Sequence, residues 1–241
     1  MQKIVKNLAV KIVITTIITL FSGVLSAQEN DSTDLTLCEK VALEARSGDL
    51  IFTAVDSYSY RKIAADTLTW SSHVGIIFKE EAQWVVYESR IPRSTITPLC
   101  DFIGRSMEEM VEVKRFNKPL ARKTIKILET AAFDRLGYYY HTGFDYDNKN
   151  RMFCSKYVFD VFQEAGIDVG LIETLEELLN RNPEADLVFW TRWYLGSIPW
   201  ERRTVTPASQ IKDDKFITVF ENNVGTGNRQ IPRINASMGA R

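Results

Sequence analysis

Ser72-His73-Val74-Gly75-Ile76-Ile77-Phe78, the polar turn Lys79-Glu80-Glu81-Ala82-Gln83, and then Trp84-Val85-Val86-Tyr87-Glu88-Ser89 form the stretch on which the fold turns. Two short runs rich in β-branched and aromatic residues flank a five-residue polar connection, which predicts an antiparallel hairpin. A tight hairpin returns Glu88 toward the strand start at His73. Gly75, two residues beyond His73, shares its face, and a glycine there leaves room for a substrate or another stretch of backbone.

Working outward, Leu50-Ile51-Phe52-Thr53-Ala54-Val55 predicts a strand before the hairpin, after turn chemistry at Ser47-Gly48-Asp49. Met110 to Phe116 alternates, with Val111, Val113 and Arg115 on one face and Glu112 and Lys114 on the other, as an exposed edge strand would. Phe216 to Phe220 predicts a last strand. Helices are expected over residues 38–45, within 98–106, over 120–136 with Gly137 as the stop, and over 171–179. Met152 to Ala165 is the clearest helix, because Phe153, Tyr157, Val158, Val161, Phe162 and Ala165 recur at three- and four-residue steps before Gly166. Residues 56–71 read as loop plus a helical turn, and 187–200 as buried but irregular. Strands that are adjacent in sequence pair antiparallel, so the class is mixed α+β, an antiparallel sheet packed against helices.

The chain has 241 residues, enough for one large domain, and shows no linker, repeat or low-complexity block between residues 35 and 220. Thirty Lys and Arg against 31 Asp and Glu give a net charge of -1, which excludes a phosphate-neutralising protein as the default, so no nucleic-acid partner is expected. Three Cys exclude a disulfide-dense scaffold, and two His exclude a three-His metal site.

Residues 1–27 read as a signal peptide: Lys3, Lys6 and Lys11 precede an apolar run from Ile12 to Leu25, and Leu25-Ser26-Ala27 ends it with small residues. The alternative is an uncleaved anchor, but the run is short for a spanning helix. The expected organisation is therefore a signal peptide (1–27), a helical lead-in (28–45), one catalytic domain (46–220) and a flexible tail (221–241). Cleavage would give an exported, periplasmic or secreted protein with no stable membrane insertion. An oxidising compartment permits a disulfide between Cys38 and Cys100, with Cys154 free.

Cys154 stands at the start of the best helix, where the helix dipole and unpaired N–H groups favour thiolate and can donate to an oxyanion. Cys38 and Cys100 do not share that placement in the sequence reading. His73 at a strand start is a candidate base, and Glu88 on the partner strand could hold its imidazole in one tautomer. Each residue alone has a bland use: packing for the Cys, a hydrogen-bonded strand end for the His, a solvated end for the Glu. Together they form a Cys/His/carboxylate set from three segments, with only His141 competing for the base.

On these residues the sequence resembles the permuted papain-like cysteine hydrolases, the YiiX/YebB-like branch of the NlpC superfamily. The resemblance rests on Gly48-Asp49-Leu50-Ile51-Phe52, Ser72-His73-Val74-Gly75-Ile76, Val86-Tyr87-Glu88-Ser89 and Phe153-Cys154-Ser155-Lys156-Tyr157-Val158, in the family's order of His strand, carboxylate strand and Cys helix. It implies a circularly permuted papain-like fold with Cys154 as nucleophile, His73 as general base and acid, and Glu88 as orienting group. It also implies Ser72, Tyr140 and Ser155 as substrate-binding residues, and no cofactor. Lys156 stands where the family often has Glu, and His141 where it often has Asp after the Tyr matched by Tyr140.

The expected reaction is amide hydrolysis through an acyl-enzyme, with cell-wall peptides as the substrate class that export and the resemblance suggest. Fatty-acyl amides or esters, or a silent binding module on the same scaffold, are the alternatives. His141, Asp145 and Asp147 do not make an EF-hand, because Lys149 falls at position five and Lys156 at position twelve, so no metal is expected. Trp190, Trp193, Tyr194 and Trp200 could form a sugar or lipid platform, but core packing is the commoner use.

Overall fold

The hairpin forms as the sequence requires: in the computed structural model, β2 (His73–Glu80) pairs antiparallel with β3 (Gln83–Ser89). The structure describes residues 34–224. The fold is the unit that starts at Thr36. The expected signal peptide lies outside the described residues, as does the expected tail beyond Val224.

In chain order the elements are α1 (Leu37–Glu44), β1 (Asp49–Val55), α2 (Tyr58–Asp66), β2, β3, β4 (Ser94–Pro98), α3 (Leu99–Ile103), β5 (Ser106–Phe116) and α4 (Arg122–Asp134). They continue with β6 (Tyr139–Tyr140), β7 (Arg151–Met152), α5 (Cys154–Gln163), β8 (Ile172–Thr174), α6 (Leu175–Asn180), α7 (Leu187–Trp193), β9 (Arg203–Val205), α8 (Pro207–Ile211) and β10 (Phe216–Asn222). Six strands form one antiparallel sheet in the order β10-β5-β1-β2-β3-β4. This is the expected α+β class.

Both faces of the sheet are covered. On one, Phe52, Val74, Ile76, Phe78 and Val85 meet Leu128 and Ala132 of α4 and Tyr157, Val158, Val161 and Phe162 of α5. On the other, Ile51, Ile77, Val86, Val111 and Val113 meet Val41 of α1 and Leu99, Phe102 and Ile103 of α3. That double cover explains why β1 is a continuous apolar run rather than an alternating one.

Local chemistry sets the helix ends. Thr36 with Glu39, and Thr174 with Glu177, make capping boxes for α1 and α6. Gly166, at φ +72°, follows α5 in the left-handed region that stops a helix. A disulfide joins Cys38 of α1 to Cys100 of α3, closing a loop of 62 residues and tying the two helices of the second layer together.

Four expectations change. β5 is interior, not an edge, because β10 returns from the end of the fold to pair with it. Its Glu112 and Lys114 are buried, and Glu112 accepts from the Thr218 hydroxyl at 2.7 Å. Residues 58–66 form a full helix. Residues 187–193 do too, because Asp186 caps the Phe189 N–H at 2.9 Å. Third, β4 pairs along β3 in a stretch with no expected strand, and the last strand runs to Asn222. The fourth concerns Gly75: the space beside it is filled by the protein itself. A Cβ there would lie 2.4 Å from Val86 Cγ1 and 3.1 Å from the Tyr87 carbonyl, so only glycine fits this close approach.

Candidate active site

His73 owes its place to the start of β2. The Ser71 hydroxyl donates to the carbonyls of Thr53 and His73, and the Ser72 hydroxyl accepts from the Val55 N–H at 2.9 Å. Glu88 owes its place to register. Ile76 pairs with Tyr87, so the next position sets Glu88 opposite Gly75, on the face of His73. A long side chain spans that diagonal, and Glu88 Oε2 meets His73 Nε2 at 2.5 Å.

Cys154 is the first residue of α5. The parallel pair β6–β7 brings Tyr140 alongside Met152, two residues before it. The first turn of α5 is pinned from outside: Ser155 Oγ donates to the Val205 carbonyl at 2.7 Å, and Gln210 Nε2 donates to the Ser155 carbonyl at 2.9 Å. Tyr157 Oη donates to the Ala132 carbonyl at 2.6 Å, fixing α5 to α4.

The three side chains form a buried line. Cys154 is 4% exposed, His73 4% and Glu88 0%. Burial alone would raise the thiol. The His73 hydrogen bond and charge, with the backbone N–H groups of Val74 and Ser155, hold it below the ordinary value instead. Burial alone would lower His73, but hydrogen bonds and charge from Cys154 and Glu88 overcome this and raise it to about 9. Burial would likewise raise Glu88. The His73 hydrogen bond and charge, the Thr97 hydroxyl and Arg105 bring it down to about 2. Hydrogen bonding and charge therefore favour a thiolate–imidazolium pair backed by a carboxylate.

A narrow pocket of about 40 Å³ opens on the sulfur. Its walls include Ile63, Phe144, Leu175, Leu178, Trp190 and Val205, and no Lys, Arg, His, Asp or Glu lines it. Ser72, Tyr140 and Ser155 all line it, but both serine hydroxyls are engaged by backbone. Tyr140 Oη is buried and has no hydrogen-bond partner among the described residues. Burial and the Cys154 charge push its phenol well above the ordinary value, so it stays protonated beside the sulfur.

Two contributors escaped the sequence reading. Tyr60 of α2 lines the pocket, and burial keeps its phenol protonated next to Tyr140. Arg105 donates to Glu88 Oε1 at 2.5 Å. Residues 56–71 have no period that could have flagged Tyr60, and Arg105 reaches Glu88 only through the packing of α3.

His141 is engaged elsewhere, its Nδ1 accepting from the Gly143 N–H at 3.0 Å. Asp147 pairs with Arg203 at 2.9 Å, and among the described residues no group of three His, Cys, Asp or Glu side chains could hold a metal. Lys156 is a buried strut, 2.7 Å from Asp160 and 4.6 Å from the centre of the Tyr146 ring. Trp190 is core as well as pocket wall, donating to buried Asp66 at 2.8 Å.

The chain matches the family model of the permuted papain-like amidase enzymes, YaeF/YiiX, C92 family, over residues 44–220. It is similar to the crystal structure of metalloprotein yiiX from Escherichia coli O157:H7, with 26% identity and a TM-score of 0.69, covering 74% of this chain and 98% of that one. No curated protein matches it. The family model spans well over half of the sequence, and the chain belongs to the permuted papain-like amidase family of YaeF and YiiX.

Proposed function

We propose that the protein is a thiol amidase that works through a Cys154 acyl-enzyme and accepts a substrate with an apolar acyl group. The observation that carries this reading is the buried Cys154–His73–Glu88 line at the mouth of an uncharged pocket. The Cys154 thiolate adds to the amide carbonyl, forming the C–S bond while the π pair moves to oxygen. The Tyr140 hydroxyl, buried beside Cys154 and Tyr60 and with no hydrogen-bond partner within bonding geometry among the described residues, is the donor at hand for that oxyanion, together with N–H groups at the α5 N-terminus. Collapse expels the amine, which takes its proton from the His73 imidazolium. Water then attacks the thioester as neutral His73 accepts its proton, and Cys154 leaves as thiolate. Glu88 stays ionised throughout and holds Nε2.

The apolar lining supports an apolar acyl group beside Cys154 over cell-wall peptides, whose carboxylates would meet no cationic side chain in its walls, and its volume of about 40 Å³ takes only the first few atoms of that group. The solved neighbour is described as a metalloprotein. Among the described residues of this chain no group of three His, Cys, Asp or Glu side chains could hold a metal ion. Action after export is part of the same proposal. The Cys38–Cys100 disulfide supports an oxidising compartment, and no helix among the described residues is long and apolar enough to cross a membrane.

The test is a panel of amides with acyl groups from acetyl to long-chain, run beside muropeptides, with thioester trapping by intact mass. Acylation confined to Cys154 and rising with acyl apolarity is the expected result. Turnover of muropeptides alone would reject the apolar specificity. A native chain that keeps residues 1–27 by mass would reject export.

A further inference from the structure

Arg105 sits two residues beyond α3, and its side chain does three things at once. Its Nη2 donates to Glu88 Oε1 at 2.5 Å, its Nε donates to the Asp101 carbonyl at 3.3 Å, and its guanidinium lies 5.2 Å from the centre of the Phe102 ring. Phe102 in turn lies against the His73 imidazole, ring centres 5.5 Å apart. Glu88 Oε1 accepts from Thr97 Oγ1 at 2.6 Å as well, so the carboxylate away from His73 is held by one neutral hydroxyl and one cation.

We infer that Arg105 is a positioning residue that balances the charge of the active site, holding Glu88 as a carboxylate on His73 so that the Cys154 thiolate can exist at low pH. This rests on the proposed Cys154–His73–Glu88 reading. The ionised line carries a thiolate, an imidazolium and a carboxylate, a net negative charge with all three groups buried. Isolated buried charge is costly. The guanidinium makes the set neutral while remaining partly open to water, its side chain 37% exposed. The other titratable groups facing the set are the Tyr60 and Tyr140 phenols, both held neutral, so neither supplies the missing positive charge. Without Arg105, the cheapest way to restore neutrality is to take up one proton. The thiolate accepts it, and its titration moves to higher pH.

A purely structural Arg105 would change rates or stability but leave that titration in place. The experiment follows the pH dependence of iodoacetamide alkylation at Cys154, and the thiolate ultraviolet absorbance, in the full-length protein and in Arg105→Ala, Arg105→Gln and Arg105→Lys. In wild type, Cys154 reacts well below the ordinary thiol value of ~8.5. In Arg105→Ala and Arg105→Gln the acid limb moves up by about one pH unit, which slows alkylation at the foot of the limb about tenfold. Arg105→Lys keeps the wild-type limb. Because the residue is partly exposed, the variants should fold, and circular dichroism checks it. If wild type reacts at low pH and the Ala and Gln variants titrate as it does, the inference is overturned while the site reading survives. A Lys variant that shifts like the Ala variant also overturns it. If wild-type Cys154 itself is unreactive below ~8.5, the site reading fails and this inference with it.

Discussion

Cys100 and Cys154 stand in the first turns of two helices on opposite faces of one sheet, yet their fates differ. Cys100, second residue of α3, is bonded to Cys38, which is itself the second residue of α1. Cys154, first residue of α5, is the free thiol. All three cysteines therefore sit at helix N-termini, and that placement does not single one out. What differs is the opposing surface. Facing Cys154 are His73, the Val74 N–H and, through His73, Glu88. Facing Cys100 is another thiol's sulfur. A helix terminus favours thiolate modestly, whereas the His73 hydrogen bond and charge pull the Cys154 thiol down against its burial.

The comparison can be broken most sharply by substitution at the two sites. Cys154→Ala should lower amide hydrolysis by roughly 10⁴-fold or more while leaving the melting temperature near wild type. A Cys38→Ala/Cys100→Ala pair should do the reverse. Turnover persists in the folded protein, while stability falls by about 4 kcal/mol, the chain-entropy value for a loop of this length, measured by urea unfolding. If the pair abolished turnover in a fully folded protein, the two layers would not be separable as described.

His73→Ala should remove the low-pH reactivity of Cys154, slowing alkylation near pH ~6 by about 100-fold, because burial then raises the unassisted thiol. His141→Gln should leave that profile unchanged, since His141 is tied to the Gly143 N–H. In wild type, kcat/KM should fall as pH rises through about 9, where His73 loses the proton that the leaving amine requires. The stability linked to His73 has the same sign. It is present below the ordinary imidazole value and lost as pH rises through about 9. Glu88 has the opposite sign, its contribution present above the ordinary carboxyl value and lost as pH falls toward about 2. Melting temperatures across this range test both signs.

The smallest expected effect is at the sheet between the two layers. Gly75→Ala should cost about 2 kcal/mol, because the new methyl meets Val86 and the Tyr87 carbonyl, and urea unfolding measures it. A neutral result would mean that β2 and β3 can part without disturbing the His73–Glu88 diagonal.

The sequence by itself determined the elements whose signals are local. Two β-branched and aromatic runs around a polar turn set the hairpin, and with it the approach of Glu88 to His73. Three- and four-residue steps fixed the helix that begins at Cys154. These patterns persist because each residue's face depends on neighbours within one turn or one strand. Tertiary structure decided what depends on residues distant in sequence. It made β5 interior by returning β10, closed Gly75 over with Val86, joined Cys38 to Cys100, and set Tyr60 of α2 and Arg105 just after α3 against the site. Nothing in the period of a segment encodes which distant segment will cover it. Glu112 and Lys114 therefore read as a solvent face until a strand a hundred residues later covered them, and no local pattern marks Arg105 as a partner of Glu88.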